Sequence, residues 1–314
     1  MPRFSSEQLE TFAAVLGEGT LEAAARRLHV TPSAVSQRLK ALEERAGQVL
    51  LQRSNPTEAT PAGQVILRLA RQLALLEDDA GRELGISGQG SQHVAMPLGV
   101  NADSLAVWFL QALAHVPPDL QVTFELHRDD EQHSTDMLRS GTVMAAVTAT
   151  PEPVQGCRVE PLGQMRYRAV ASPAFVARWL PQLDDGGTVA AKALNAAPAV
   201  DFDRKDSYQW RFVETLFVKE TARKKASQDR PPLGPRHYVP AAMDFAQAIR
   251  LGLGWGLVPE AHCGPDLAEG TLVELAPNDP FDVALYWQRW KIQSPLLDLV
   301  SATVRETASK HLHG

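Results

Sequence analysis

The chain has 314 residues and a net charge of −6, with 44% hydrophobic and 22% charged residues, which is an ordinary globular balance. That length accommodates two or three domains with their own cores, and no apolar run approaches the roughly 18 residues that cross a bilayer. Two cysteines, Cys157 and Cys263, are too few and too far apart for a disulfide framework, a zinc site or a local redox pair, and read as buried, inert thiols, with a redox sensor as the alternative.

The opening MPRFSSEQLE lacks the apolar core of a secretory signal, so the expected location is cytoplasmic, with no membrane partner. Ser5 with Gln8 fits a capping box, and Leu9, Phe12, Ala13 and Leu16 form the stripe of a first helix that Gly17, Glu18 and Gly19 end. From Thr20 to Glu44 two short helices follow, joined by a tight turn. Ala24, Ala25 and Leu28 mark the buried side of the first; Val35, Leu39 and Leu42 mark that of the second. The second helix starts at Thr31, a good N-cap, with Pro32 at the first helical position and Val30 and Val35 placed as a hydrophobic staple.

At about 100° per residue, Ser33, Gln37 and Lys40 then point outward, with Ser36 and Ala41 on the flanks. This face is small, uncharged and hydrogen-bonding at the end where a major-groove helix meets base edges, and Lys40 lies further along to reach a base or phosphate. An ordinary solvated helix face has the same geometry. Local charge separates the two readings: six basic residues (Arg26, Arg27, Arg38, Lys40, Arg45 and Arg53) stand against Glu43 and Glu44 in an acidic chain. Val49, Leu50 and Leu51 read as a strand, Ser54 to Pro56 as a turn, and 57–59 as a return, which makes a small wing. Arg53 at its base faces either the DNA or a salt bridge to the helices.

Thr60 and Pro61 repeat the cap signature. In the helix they open, Val65, Leu69, Leu73, Leu76 and Ala80 alternate by four and three, a narrow seam suited to a second helix. Glycine-rich residues 85–90 detach it from the next domain, so a dimerisation helix is favoured over a core helix. From His93 onward strands at 94–100, 122–126, 143–148, 167–171, 199–202, 255–258 and 283–287 alternate with helices at 105–113, 135–139, 174–180, 208–217 and 244–251. That alternation predicts an α/β domain with mostly parallel sheets.

In open α/β sheets small molecules bind beyond the carboxyl ends of strands. Four such ends are readable, at 99–104, 146–149, 171–174 and 199–204. In the first, Asn101, Asp103 and Ser104 offer amides and a hydroxyl for a carboxylate, or plain helix caps. Asp129, Asp130, Glu131, Asp201, Asp203 and Asp244 are rich in negative charge nearby, which suits a cationic ligand, although most such carboxylates are solvated surface.

The stretch AAARRLHVTPSAVSQRLKALEE, followed by LLQRS and by TPAG at Thr60 to Gly63, resembles the winged helix-turn-helix of LysR-type transcriptional regulators. The resemblance implies an N-terminal all-α winged helix-turn-helix (1–59), a long linker helix (60–84), a flexible linker (85–91) and an α/β effector domain of two periplasmic-binding-protein-like lobes (92–314). Lobe one would span about 92–164 and 269–314, lobe two about 165–268, with a ligand cleft between them. It also implies double-stranded operator DNA, RNA polymerase and further copies of the chain, as a dimer or dimer of dimers, as partners. NADSLAVW from Asn101, ASPAF from Ala171, VDFDRKD from Val200 and GWGLVP from Gly254 resemble the lysine- and arginine-responsive branch, whose members control exporters of basic amino acids.

On this reading Thr31, Pro32, Ser33, Ser36, Gln37, Arg38, Lys40 and Arg53 meet DNA, and Val65, Leu69, Leu73 and Leu76 pair two chains. The effector residues are Asn101, Asp103, Ser104, Asp130, Thr148, Ser172, Asp201, Asp203, Asp244 and Trp255. Ser104 and Thr148 would take the amino-acid carboxylate, and acidic groups such as Asp103, Asp130 or Asp201 the cationic side chain. No cofactor and no metal is expected beyond an effector, L-lysine or L-arginine. An enzyme is disfavoured, since GxSxG, GxxxxGK[ST] and HExxH are all missing and Gly252, Gly254 and Gly256 precede a strand instead of opening a helix. An architectural DNA-binding protein and a regulator of another small effector remain the alternatives.

Overall fold

The computed structural model describes residues 3–52, 54–85, 94–128, 131–183, 189–224 and 234–314. Arg53, Asp130 and most of the glycine-rich linker therefore lie outside the described residues.

The N-terminal helices start where local chemistry satisfies their free amides. Helix α1 (Ser6–Glu18) opens on the expected capping box, with Ser5 Oγ accepting from the Gln8 amide and Gln8 Oε1 accepting from the Ser5 amide, both at 3.4 Å. Its buried face carries Leu9, Phe12, Ala14 and Val15, while Ala13 and Leu16 are only partly covered. The stripe is rotated from the expected one because α1 is flanked on two sides, by α2 (Leu21–Arg27) with α3 (Pro32–Ala46) and by α4 (Pro61–Glu83). Thr20, Thr31 and Thr60 cap these three helices, accepting from the amides of Ala23, Ala34 and Gly63 at 3.2, 3.2 and 3.0 Å.

Strands β1 (Leu51–Gln52) and β2 (Glu58–Ala59) pair antiparallel as the wing. The wing is tied to α3 by the Leu50 amide, which donates to Glu43 at 2.8 Å, and to α4 by the Thr60 amide, which donates to the Leu50 carbonyl at 2.9 Å. Gly63 is dictated by this junction, since a Cβ there would lie 2.1 Å from the Leu50 oxygen. Ile66, Leu67 and Ala70 of α4 join Phe12, Val15, Ala24, Ala25, Val35, Leu39, Leu42 and Leu50 in one core. The opposite stripe is left uncovered, with Val65, Leu69 and Leu76 at 57, 40 and 43% exposed.

Strands then alternate with helices: β3 (Val94–Val100), α5 (Ala102–Ser104), a π-helical turn (Leu105–Phe109), α6 (Leu110–Ala114), β4 (Val122–Arg128), α7 (Glu131–Ser140) and β5 (Ala145–Thr148). The long β6 (Cys157–Ala171) leads to α8 (Pro173–Trp179), α9 (Ala191–Ala196), β7 (Ala199–Asp201), α10 (Tyr208–Lys224), β8 (Arg236–Tyr238) and α11 (Ala242–Arg250). The chain closes with β9 (Gly256–Pro259), α12 (Glu260–Glu269), β10 (Val273–Glu274), β11 (Phe281–Trp290) and α13 (Pro295–His311).

Two compact units result. Unit one holds Met1–Asn101, Ala112–Pro161 and Tyr286–Arg305; unit two holds Ala102–Gln111, Leu162–Leu285 and Glu306–Gly314. In unit one β3 runs parallel to β4 and β5, and residues 286–289 of β11 run antiparallel to β5. In unit two the second half of β6 pairs antiparallel with β9 and β10, while β7 and β8 are parallel. The sheets are mixed rather than mostly parallel, because β6 and β11, in which the chain changes unit, run against their neighbours. The return falls within β11 and not near Gly270, since β10 at Val273 and Glu274 is still hydrogen-bonded to Ala171 and Val170 of β6. Among the described residues no helix is long and apolar enough to cross a membrane.

Candidate DNA-reading face and effector residues

Helix α3 buries only Val35, Leu39 and Leu42. Thr31, Pro32, Ser33, Ser36, Gln37 and Lys40 are all exposed, which is the arrangement the helical wheel predicts. Thr31 Oγ1 accepts the Ala34 amide and lies 2.9 Å from Ser33 Oγ, so the start of the helix is held rigid beneath its polar tip. Among the described residues Lys40 reaches only Glu44, at 3.9 Å and with both side chains mostly exposed, which leaves the ammonium available to a phosphate.

Arg38 is different. It turns toward α1, donating to Thr11 Oγ1 at 3.3 Å and lying 3.6 Å from Glu7, so it braces the recognition helix on the scaffold helix. Arg27 and Arg45 likewise have partners on α1, Glu18 and Gln8, at 3.3 and 3.4 Å. Arg26 is exposed.

In unit two the predicted effector residues fall into two groups. Asp103 and Asp201 both feel the charge of Asp206. The Tyr167 hydroxyl donates to Asp103 Oδ2 at 2.7 Å. Burial pushes the Asp103 carboxyl up to about 6, against the pull of that hydrogen bond and with the charge of Asp206 adding to the rise. Asp201 is buried and held by Arg236, whose Nη1 lies 3.1 and 3.4 Å from its two oxygens. Burial raises this carboxyl to about 6 as well, Arg236 opposes, and Asp206 again adds. One carboxylate that sequence reading passed over, Asp206, thus acts on both predicted acids. It is fixed in place by the amides of Phe202 and Tyr208, each donating at 2.9 Å.

The second group in unit two has structural employment. Asp203 accepts the amides of Lys205 and Asp206 at 2.6 and 3.0 Å and shapes the turn after β7. Ser172 caps α8, accepting from the Phe175 amide at 3.4 Å. Asp244 is exposed on the first turn of α11, whose opposite face is buried. Trp255 is fully buried, donating to the Leu194 carbonyl at 2.9 Å beside Phe212, which places it in the core. Ser104 is buried in the short turn after Asp103.

In unit one Asn101 follows β3 and is buried. Thr148 ends β5 with its hydroxyl in an internal network: it donates to the Thr150 carbonyl at 3.2 Å and accepts from Gln288, which also donates to the carbonyls of Thr150 and Glu152. The thiols of Cys157 and Cys263 are buried and pushed up to about 11 and about 12, which suppresses the thiolate. Among the residues missed from sequence, Tyr167 and Arg236 carry no local signal, because their partners lie 64 and 35 positions away.

These two halves have counterparts in known proteins. The pattern of the bacterial regulatory helix-turn-helix protein, lysR family, matches residues 6–64, and that of the LysR substrate binding domain matches residues 98–309. The HTH-type transcriptional regulator LysG of Mycobacterium tuberculosis is 44% identical over 312 residues, 98% of this chain and 95% of that protein. The lysine export transcriptional regulatory protein LysG of Corynebacterium glutamicum is 37% identical over 306 residues, 97% of this chain and 98% of that one. Among solved structures, ArgP from Mycobacterium tuberculosis superposes with a TM-score of 0.81 at 42% identity, covering 98% of both chains. Full-length LysG from Corynebacterium glutamicum with bound effector Arg superposes with a TM-score of 0.72 at 34% identity, covering 99% of this chain and 100% of that one. With the reader and the effector domain both matched and the identity sustained along the chain, this protein belongs to the LysR family of bacterial transcription regulators and is a DNA-binding regulator, not an enzyme.

Proposed function

We propose that this LysR-family regulator senses a basic amino acid, L-lysine or L-arginine, in its effector domain and controls a gene such as an exporter of that amino acid. The observation that carries the reading is its likeness, over 99% of the chain, to a LysG with bound effector Arg. The electrostatics of unit two agree with it. Asp206 repels both Asp103 and Asp201, and Arg236 offsets the charge of Asp201, so a cation beside Asp103 relieves a repulsion there. Asp103 is therefore the favoured partner of the ligand's cationic group, ahead of Asp201. Asn101, Ser104 and Thr148 are the candidates for the amino-acid carboxylate.

On the DNA side, Ser33, Ser36 and Gln37 read base edges and Lys40 a base or phosphate, with Arg38 bracing the helix. Two copies pair through Val65, Leu69, Leu73 and Leu76, and pairs assemble further, which spaces the readers about one helical turn of DNA or a multiple apart. Leu69→Glu is expected to break the pairing while leaving the fold intact, because Leu69 is already 40% exposed in the single chain; sedimentation velocity measures it. The ligand acts by binding one arrangement better than the other, and a full reversal from mostly off to mostly on needs about 5.5 kcal/mol of differential affinity shared among the sites. RNA polymerase is the downstream partner.

The deciding experiment is calorimetric titration of L-lysine, L-arginine and a neutral amino acid into the purified chain. Saturable binding of the basic pair alone is expected. Heat from the neutral amino acid alone, or from none of the three, overturns the effector assignment and leaves the DNA reader standing.

A further inference from the structure

The linker helix does more than join the reader to the next domain. Midway along α4, on a face distinct from the exposed seam, Arg71 reaches the turn that closes α7. Its Nη1 donates to the Gly141 carbonyl at 2.8 Å and to the Thr142 carbonyl. These are carbonyls at the C-terminal end of a helix, where the backbone dipole concentrates negative charge and a guanidinium fits best. Burial lowers the Arg71 pKa, and the charge of Glu125 on β4 offsets part of that.

The approach is close on the other side too. Gly141 has φ +75, and a Cβ there would stand 2.7 Å from both Cα and Cβ of Arg68 and 2.8 Å from its amide nitrogen. Helix α4 therefore rests its own backbone on a residue that only glycine supplies without strain. The turn is also internally braced, with Ser140 Oγ and Thr142 Oγ1 2.8 Å apart and the Val143 amide donating to the Met137 carbonyl at 3.2 Å. Shortly after Thr142, β5 begins at Ala145, and it ends at Thr148, one of the candidate effector residues.

We propose that this clasp, Arg71 on the carbonyls of Gly141 and Thr142 with Arg68 seated on Gly141, is the coupling element that transmits the state of the effector domain to the linker helix. The inference rests on the effector reading above for the ligand it transmits. Its physical basis does not: one segment, 140–148, links α4 through a partly buried, directional contact to the strand that bears Thr148. A shift of that strand moves the carbonyls to which Arg71 is fixed. The helix that carries both the reader and the exposed seam then moves with them. Arg71 is a positioning residue, remote from both DNA and ligand.

Two variants attack the clasp from its two sides. Arg71→Met removes the donor while keeping most of the side chain's bulk, and Gly141→Ala forces the two backbones apart; Arg71→Lys is the conservative control. Each is compared with the unaltered full-length chain on an operator duplex selected from a random pool, with and without saturating L-lysine or L-arginine. Coupled sites change one another's affinity by about 5–150-fold. Both variants are expected to bring that ratio close to one, with affinity for the amino acid alone within about twofold of the unaltered chain and Arg71→Lys in between. A ratio that persists in both overturns the proposal.

Should neither amino acid bind the unaltered chain, the effector reading has failed and hydrogen exchange judges the clasp alone. Arg71→Met should then raise exchange together in residues 66–73 and 138–146. Unchanged exchange in both segments overturns the clasp.

Discussion

The recognition helix and the acidic group of unit two present polar side chains in opposite ways. On α3 the residues proposed to read DNA, Ser33, Ser36, Gln37 and Lys40, stand in solvent, and among the described residues only Lys40 has a charged partner, at 3.9 Å. In unit two Asp201 and Asp206 are already committed, one to Arg236 and one to two backbone amides, and Asp103 is held by Tyr167. A face that meets a polymer need only be exposed and stiff, because partner groups arrive from outside and the supporting helix is fixed by its caps and core. A site for a small cation must store negative charge without water, and stored charge needs internal partners until the ligand arrives. Substitutions in the two regions should therefore report different quantities: specificity at the reader, stability and pH dependence at the acids.

The largest effect tests stored charge directly. Arg236→Met leaves the buried Asp201 unpaired and is expected to cost about 3–5 kcal/mol of stability, read from the denaturant midpoint of the effector-domain transition. Adding Asp201→Asn removes the orphaned charge and should recover most of the loss. If the single variant is as stable as the unaltered chain, Asp201 is not held by Arg236 and returns to being a candidate ligand contact. At the reader, Gln37→Ala should lower operator affinity by roughly 1–3 kcal/mol while leaving weak binding to unrelated DNA and the thermal midpoint unchanged. Equal loss on every sequence would remove the base-reading role and make the two regions less different than they look.

The same contrast explains what sequence alone could reveal. Three of the four helix starts at the N-terminus were legible, because Ser5 with Gln8, Thr31 with Pro32, and Thr60 with Pro61 act on amides within three residues; Thr20 caps α2 in the same way but was not read as a cap. The inward stripe of α3 followed from its period alone. Arg38 was not legible in the same way, since its place on the wheel does not reveal that α1 offers Glu7 and Thr11 beside it. In the effector domain strand ends were readable but their partners were not. Nothing near Asp201 announces Arg236, and the short strand that carries this arginine, β8, has too few residues for a visible alternation. The first half of β6 was missed for another reason: Pro161 and Gly163 break the alternation that Arg158, Glu160, Gln164 and Arg166 make with its apolar residues, and make it look like a loop. Trp255, expected at the ligand, is claimed by the core because its indole nitrogen has a carbonyl waiting at Leu194.

A smaller effect separates the acids from the reader by proton linkage. The folded Asp103 carboxyl, at about 6, lies above the ordinary unfolded value near 3.9, so the folded chain holds the extra proton. Its contribution to stability is full below about pH 4 and is lost as pH rises through about 6. Binding of a cationic amino acid runs the other way, since it needs the carboxylate. Affinity for L-lysine should rise with pH up to about 6, by at most about tenfold per pH unit for one proton, and level off above. Calorimetry across about pH 5 to 7 measures this, and Asp103→Asn should both weaken binding and flatten the profile. A profile as steep in the variant as in the unaltered chain would show that another group carries the charge.

Lys40 gives the smallest effect on the fold and the sharpest test of the reader. Its contact with Glu44 spans one helical turn at 3.9 Å with both side chains mostly exposed, a geometry that contributes no more than about 0.5 kcal/mol. Lys40→Ala should therefore leave the denaturation midpoint within that margin. If Lys40 meets a phosphate, the same substitution weakens binding to all DNA sequences about equally and lowers the salt dependence by about one counterion. If it meets a base edge instead, the loss is confined to the operator and the salt slope holds. An unchanged affinity at every salt concentration would take Lys40 off the DNA and narrow the reading face to its uncharged N-terminal half, Ser33, Ser36 and Gln37, where the contrast with the stored carboxylates of unit two would be greatest.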